Sequence, residues 1–129
     1  MSGTSLELRW GGRLSTKRAG DRGEQIALDY LIDKGYSFVE RNYRTRYGEV
    51  DLILRSGDTM VFVEVKLRRG LGFGDPLESV TPRKQATIRS LAESYLAERD
   101  PDFENVRFDV VGILETRYET EIQHVQNAF

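Results

Sequence analysis

The sequence predicts an α/β fold in which helices flank a mixed central sheet. Segments with apolar residues at helical spacing alternate with segments rich in β-branched and aromatic residues, in the order helix, three strands, helix, strand. In addition, 129 residues are enough for one domain that buries a hydrophobic core of its own. We therefore expect a single domain, residues 1–129, built on an αβββαβ core.

The first predicted element is a helix preceded by an irregular arm. Residues 1–14 show no sustained period, and we expect a loose N-terminal arm there. Ser15 and Thr16 both suit an N-cap, and Gly35 suits the end of the helix that follows. The apolar residues of this helix form one stripe: Ile26, Ala27, Tyr30 and Leu31.

One further helix and four strands complete the predicted core, and the C-terminal tail is a candidate for an edge strand. Thr81 is a suitable N-cap and Pro82 suits the first helical position, so the second helix is expected to begin there. Strands are predicted on both sides of this helix, over residues 36–44, 48–55, 59–67 and 106–114.

The composition limits the kinds of catalytic site that the chain can form. The chain has no cysteine and a single histidine, His124, which argues against Ser-His and Cys-His nucleophiles and against a multi-histidine zinc site. No apolar run approaches the ~18 residues of a membrane span, and the N-terminus lacks the apolar core of a secretory signal. We expect a cytoplasmic protein in which any catalysis uses carboxylates, lysine and a metal that prefers oxygen.

Charge is distributed unevenly along the chain. The net charge is -2, but residues 41–89 carry ten basic and six acidic side chains, and residues 90–129 carry three basic and nine acidic ones. A local basic zone is typical of a surface that binds a polyanion. A solvated mixed-charge surface is the alternative.

Charged residues interrupt two strands that otherwise have the composition of buried strands. In FVEVK, residues 62–66, Glu64 and Lys66 project from one face. Gly57-Asp58 suits a two-residue type II′ turn, and the register that this turn imposes puts Asp51 opposite Glu64. Two interpretations follow: a salt bridge to Lys66, or a divalent metal between the carboxylates.

A third carboxylate favours the metal. Glu24 lies three residues before Ala27, at one edge of the apolar face of the first helix. Gly20 and Gly23 would let the helix backbone approach the sheet closely. A lone glutamate near a helix N-terminus usually serves the helix dipole, but with Asp51 it would complete a Mg2+ or Mn2+ site or position water.

Three carboxylates and a lysine without histidine are the residue types of metal-assisted phosphodiester hydrolysis. Lys66 would contact a phosphate oxygen or orient the attacking water. Gln85 is expected to face inward and bond lysine, water or substrate, and a polar contact at the start of the helix is an equal alternative. Six basic residues near the site in sequence would hold the phosphate backbone: Arg44, Arg46, Arg68, Arg69, Arg83 and Lys84.

The glycine-rich segment GLGFG would offer Phe73 as a stacking face, with an ordinary mobile loop as the equal alternative.

The motifs GEVDLI, EVK, GDRGEQIALDYL and SVTPRKQATIRSLAESYL…RFDVVGI resemble the YraN-like family of small bacterial proteins, over roughly residues 17–129. That resemblance implies a restriction-endonuclease-like fold of the PD-(D/E)XK nuclease superfamily, similar to archaeal Holliday junction resolvases. It implies that Asp51 is the metal-binding aspartate, that Glu64 and Lys66 are the (D/E)XK pair, and that Glu24 is the first-helix glutamate.

Two positions depart from the patterns of the superfamily. Val50 stands where proline often precedes the aspartate, and Gln85 is followed four residues later by Arg89, so the Q-x-x-x-Y motif of the RecB-like exonucleases is absent. The position of Val50 is variable across the superfamily, whereas the missing Q-x-x-x-Y motif argues against an exonuclease.

The sequence thus predicts a Mg2+- or Mn2+-dependent endonuclease acting on branched, flapped or single-stranded DNA, as a monomer or homodimer. Its metal ligands would be Glu24, Asp51 and Glu64, with Lys66 and Gln85 as further catalytic residues. The main alternative is a nucleic-acid-binding module of the same fold without turnover. A structural domain held by a salt-bridge network is a third hypothesis.

Overall fold

Two helices flank a five-stranded mixed sheet in the computed structural model of the protein, which describes residues 12–69 and 75–129, with side chains from Gly20 onward. The predicted αβββαβ core is confirmed. The elements are α1 (Gly12–Asp33), β1 (Ser37–Thr45), β2 (Gly48–Ser56), β3 (Thr59–Arg69), a 3-10 helix (Pro76–Ser79), α2 (Pro82–Arg99), β4 (Asn105–Glu115) and β5 (Thr120–Val125).

The strands lie in chain order, β1-β2-β3-β4-β5. Hairpin neighbours are antiparallel, whereas β3 and β4 are parallel because α2 carries the chain back across the sheet between them. The expected edge strand in the C-terminal tail is present as β5.

The core has one layer on each face of the sheet. Phe62, Leu91 and Tyr95 belong to the α2-side core, and Leu31 and Val63 belong to the α1-side core. Successive residues of β3 alternate between the two cores, which is why its apolar run is continuous.

The turn between β2 and β3 has the predicted register. Gly57 has a φ of +59°, and Ser56 pairs with Thr59. Asp58 is absent from the described non-glycine residues with positive φ, as expected for a type II′ turn. The ladder then runs without a shift to the pair Leu52–Val63.

The helix ends differ in how well the sequence predicted them. The Oγ1 atom of Thr81 accepts a hydrogen bond from the backbone N–H of Lys84 at 3.2 Å, so the predicted cap of α2 is confirmed. In contrast, α1 begins at Gly12 rather than at Ser15 or Thr16, and residues 12–14, which we expected in the loose arm, are helical. Residues 1–11 of that arm lie outside the described part of the chain.

Two glycines allow close contacts between layers. A Cβ at Gly112 would lie 2.7 Å from the Cβ of Pro76, so only glycine lets the 3-10 helix rest on β4 at this position. A Cβ at Gly23 would lie 3.2 Å from the Cβ of Leu67, as expected for close packing of α1 on the sheet, whereas Gly20 has no such neighbour within 4 Å in the described structure.

Across residues 12–69 and 75–129, no helix combines the length and the apolar character needed to cross a membrane.

Candidate active site

The regular alternation of β2 breaks at Asp51. Leu52 packs in the α1-side core and Ile53 in the α2-side core, as a strand requires, but Val50 also packs in the α2-side core. On β1, the neighbouring strand, Asn42 has a φ of +55°, which is rare inside a strand. The backbone therefore leaves the regular ladder at the residue that the sequence singled out.

Asp51 does not pair with Glu64 across the ladder, because the β2–β3 register ends one residue earlier. Instead, the Asp51 Oδ2 atom accepts a hydrogen bond from the backbone N–H of Val65 at 2.8 Å. Asp51 and Glu64 still line one cavity. They therefore lie near each other as predicted, although they are not a cross-strand pair.

Three carboxylates meet at this break: Glu24 of α1 and Glu49 and Asp51 of β2, here called the carboxylate cluster. One oxygen from each lies within 4.8 Å of the others. Glu24 is only 8% exposed. Sequence reasoning missed Glu49, although its position two residues before Asp51 was the signal that would have found it.

Asn42 joins two members of the cluster. Its Nδ2 donates to Glu24 Oε1 at 2.9 Å and to Glu49 Oε2 at 2.8 Å. The positive φ of Asn42 belongs to the backbone that presents this amide, and asparagine tolerates that conformation better than most residues. Asn42 therefore holds the two carboxylates next to each other.

The cluster concentrates negative charge. Burial and the charges of Glu64, Glu24 and Glu49 together raise the pKa of Asp51 to about 8, against the hydrogen bond from Val65. Burial also raises the pKa of Glu24, opposed by the hydrogen bond from Asn42 and the charge of Arg41. Protein cations thus leave the cluster incompletely neutralised.

Glu64 lies beside the cluster but has different partners. It is 4% exposed, and its Oε2 atom lies 3.4 Å from Lys66 Nζ and 3.0 Å from Lys84 Nζ. The predicted contact between Glu64 and Lys66 is present. Lys84, which we expected to bind nucleic acid, is the nearer of the two lysines.

A cavity of about 500 Å3 connects these groups with the N-terminus of α2. Carboxylates from β2 and β3 lie among its walls, together with the first turn of α2, where the helix dipole favours anions. Its lining residues are Tyr47, Gly48, Glu49, Asp51, Glu64, Thr81, Arg83, Lys84 and Thr87.

The other candidates lie in different places. Gln85 donates from Nε2 to the carbonyl oxygen of Val80 at 3.0 Å and is not among the cavity-lining residues, so its described contact is the structural one considered above. Arg44 bonds Glu49, and Arg46 contacts Tyr47 at the rim.

Arg68 and Arg69 end β3, outside the cavity lining, and Arg69 contacts Glu115. Phe73 lies outside the described residues.

A further buried carboxylate, outside the cavity lining, was not predicted. Asp109 of β4 is fully buried, and its two oxygens accept hydrogen bonds from Arg107 at 2.9 Å each. His124 Nε2 lies 2.7 Å from Asp109 Oδ2, and the N–H of Asn127 donates to Oδ1 at 3.0 Å. We call these four residues the Asp109 network.

The donor types of the carboxylate cluster fit a hard divalent cation. Carboxylate oxygens are the ligands that Mg2+ and Mn2+ prefer, and the cluster offers no nitrogen or sulfur donor. The raised pKa of Asp51 is the electrostatic sign of a site in which positive charge would be strongly stabilised.

Comparison with known proteins yields one consistent family. The model of the uncharacterised protein family UPF0102 matches residues 23–113. A UPF0102 protein of Rhodococcus opacus is 50% identical over 111 residues, covering 85% of this chain and 94% of the relative. A UPF0102 protein of Dictyoglomus thermophilum is 42% identical over 101 residues, covering 78% and 86%. The matched segment contains the whole carboxylate cluster together with Asn42, Glu64 and Lys84.

Proposed function

The chain belongs to the UPF0102 family, and we propose that it is a Mg2+- or Mn2+-dependent nuclease that hydrolyses phosphodiester bonds in structured or single-stranded DNA. The observation that carries this proposal is the carboxylate cluster, whose oxygens lie within 4.8 Å of one another beside a cavity that also has cationic walls. Carboxylates on one side and cations on the other suit a metal and a phosphodiester together.

The metal would be held by Glu24, Glu49 and Asp51, with Glu64 next to them. This differs from the set expected from the sequence in that Glu49 joins it and Glu64 is occupied by lysines. A divalent cation in such a set lowers the pKa of water and stabilises the negative charge that develops on a phosphate during hydrolysis.

The substrate phosphate would be held from the α2 side of the cavity. Arg83 and Lys84 are the cations there, and the dipole at the N-terminus of α2 adds a favourable field for an anion. Lys84 and Lys66 both reach Glu64, which keeps their ammonium groups near the place where a phosphate oxygen would lie.

Membership of the PD-(D/E)XK superfamily is part of the proposal. It is supported by the αβββαβ order and by the joint position of Asp51, Glu64 and Lys66 near one cavity. The cytoplasmic location, the single domain and the DNA partner likewise stay predictions.

The first test measures Mn2+-dependent cleavage of a labelled panel: Holliday junction, flap, splayed arm, single strand and plain duplex. Wild type is expected to cleave at least one structured or single-stranded substrate, and Asp51→Asn should lose activity by at least about a hundredfold because several kcal/mol of electrostatic stabilisation are removed. Asp58→Asn is the matched control, since Asp58 is an exposed acid in the β2–β3 turn.

Two results would contradict the proposal. Structure-selective DNA binding without cleavage, in wild type and Asp51→Asn alike, would favour a binding module. An unfolding temperature that Mn2+ leaves unchanged would favour a salt-bridge network, because a bound metal at 100 times its Kd stabilises the fold by about 2.7 kcal/mol.

A further inference from the structure

Tyr47 is an aromatic side chain left exposed at the rim of the cavity. It lies in the turn between β1 and β2, it is 70% exposed, and it lines the cavity together with Arg83 and Lys84. Tyr43 and Tyr95, in contrast, are 5% and 3% exposed. An exposed ring next to phosphate-binding cations is the arrangement by which proteins hold single-stranded nucleic acid.

The ring is held in place from its own turn. The Arg46 guanidinium lies over the Tyr47 ring at 4.9 Å from the centroid, and it donates to the Tyr47 hydroxyl at 2.7 Å. The backbone N–H of Tyr47 also donates to Thr45 Oγ1 at 3.0 Å. One face of the ring is therefore backed by a cation, and the high exposure leaves area for a second flat group.

The turn is also held close to α2. Gly48 has a φ of +156°, and a Cβ at this position would lie 3.2 Å from Thr87 Cγ2 and 3.5 Å from Leu91 Cδ1. The absence of a side chain thus permits close approach of the turn to the helix. Tyr47 directly precedes Gly48, so the packing of Gly48 against α2 sets the distance of Tyr47 from Arg83 and Lys84.

We propose that Tyr47, backed by Arg46, is a stacking platform for one unpaired nucleobase next to the phosphodiester held by Arg83 and Lys84. This inference rests on the proposed function and narrows its substrate class. A base inside a continuous duplex has both faces stacked and cannot reach the ring, whereas a base in a single strand, a flap or an open junction can. The platform therefore selects nucleic acid with at least one unstacked base at the site.

The test compares binding of two oligonucleotides that differ only in their bases. A labelled oligothymidylate and an abasic oligonucleotide of equal length are titrated by fluorescence anisotropy at low salt, with EDTA present to prevent metal-dependent turnover. Tyr47→Ala is expected to weaken oligothymidylate binding about 5- to 20-fold, within the range of base–aromatic stacking, and to leave binding of the abasic chain unchanged.

Two further variants make the test specific. Tyr47→Phe should retain binding, because it keeps the ring and loses only the hydroxyl. Tyr118→Ala should change nothing, since Tyr118 is even more exposed, at 86%, but lies between β4 and β5, outside the cavity lining.

The proposal is overturned if Tyr47→Ala has no effect, if it weakens both oligonucleotides equally, or if wild type binds neither. Failure of the nuclease proposal gives a different result. In that case Mn2+ produces no cleavage while the base-dependent effect of Tyr47→Ala persists.

Discussion

The carboxylate cluster and the Asp109 network both contain a carboxylate removed from water, and they differ in how the buried carboxylate is stabilised. In the Asp109 network, burial alone would raise the pKa of Asp109, but hydrogen bonds from His124, Arg107 and the N–H of Asn127 outweigh burial and lower it. In the carboxylate cluster, burial and neighbouring carboxylates raise the pKa of Asp51 to about 8. Asp109 is thus compensated from within the chain, whereas Asp51 has no ion pair among the described residues.

This difference separates a structural charge from a functional one. A buried carboxylate with a full set of donors stabilises the fold as it stands and leaves nothing for a ligand. A group of carboxylates with raised pKa values beside a cavity stabilises the fold less, and it gains from a cation that enters from solution. The comparison therefore supports the proposed metal binding at the cluster and a structural role for Asp109.

The largest expected effect comes from the same substitution made in both regions. Asp109→Asn should lower the free energy of unfolding by about 3–5 kcal/mol, because Arg107 loses a buried counter-charge. Asp51→Asn should leave it unchanged or raise it, because the variant does not have to take up a proton on folding at this pH. Urea unfolding at pH 7.5 in EDTA measures both. If Asp51→Asn lowered the free energy of unfolding as much as Asp109→Asn, the two carboxylates would not differ in the way described.

An intermediate effect, on Mn2+ affinity, is expected when Asn42 is replaced, and Asn127, which also has a positive φ, provides the control. Asn42→Gly keeps the backbone conformation but removes the amide that joins Glu24 to Glu49, so Mn2+ affinity should fall about 10- to 100-fold. Asn127→Gly is the matched control, because Asn127 has a φ of +53° and contacts Asp109 through its backbone N–H, which glycine retains. Calorimetric titration with Mn2+ compares the two variants. Equal affinity in wild type and Asn42→Gly would show that the amide does not organise the cluster.

The smallest expected effect is a pH dependence of opposite sign in the two regions. The folded-state pKa of Asp51, about 8, exceeds its unfolded value, so the folded protein retains a proton that the unfolded chain releases. Without metal, stability relative to Asp51→Asn should therefore fall by more than about 1 kcal/mol between pH 5 and pH 8.

Asp109 titrates in another window. Its folded-state pKa is lowered, so its contribution is present at neutral pH and is lost only as the pH falls through that value, below 3.8. Unfolding curves from pH 5 to pH 8 thus isolate the cluster. A constant difference between wild type and Asp51→Asn over this range would mean that the cluster does not bind an extra proton.

Local features of the fold could be predicted from the sequence because neighbouring residues encode them. The order of elements, the Thr81–Pro82 start of α2 and the Gly57–Asp58 turn depend on backbone preferences and on apolar period. The register set by this turn places Asp51 and Glu64 at the same end of the hairpin, and both line the cavity.

The failures of prediction have a common physical origin. Nothing in the local pattern of β1 indicates that Asn42 adopts a positive φ and bridges residues of two other elements. Nor does the sequence near Lys84 indicate that its ammonium group lies 3.0 Å from Glu64, because packing of α2 against β3 brings the two side chains together. The start of α1 was also misplaced, since helix ends have weaker signals than helix interiors.

The sequence by itself thus determined the αβββαβ order, the hairpin register and the identity of Glu24, Asp51, Glu64 and Lys66 as candidates. Only the tertiary structure decided that Glu49 completes the cluster, that Asn42 joins it, and that Asp109 is paired with Arg107 and bonded to His124. The reason is that dihedral preference and period act within a segment. In contrast, whether a buried charge is neutralised depends on which side chains other segments bring to it.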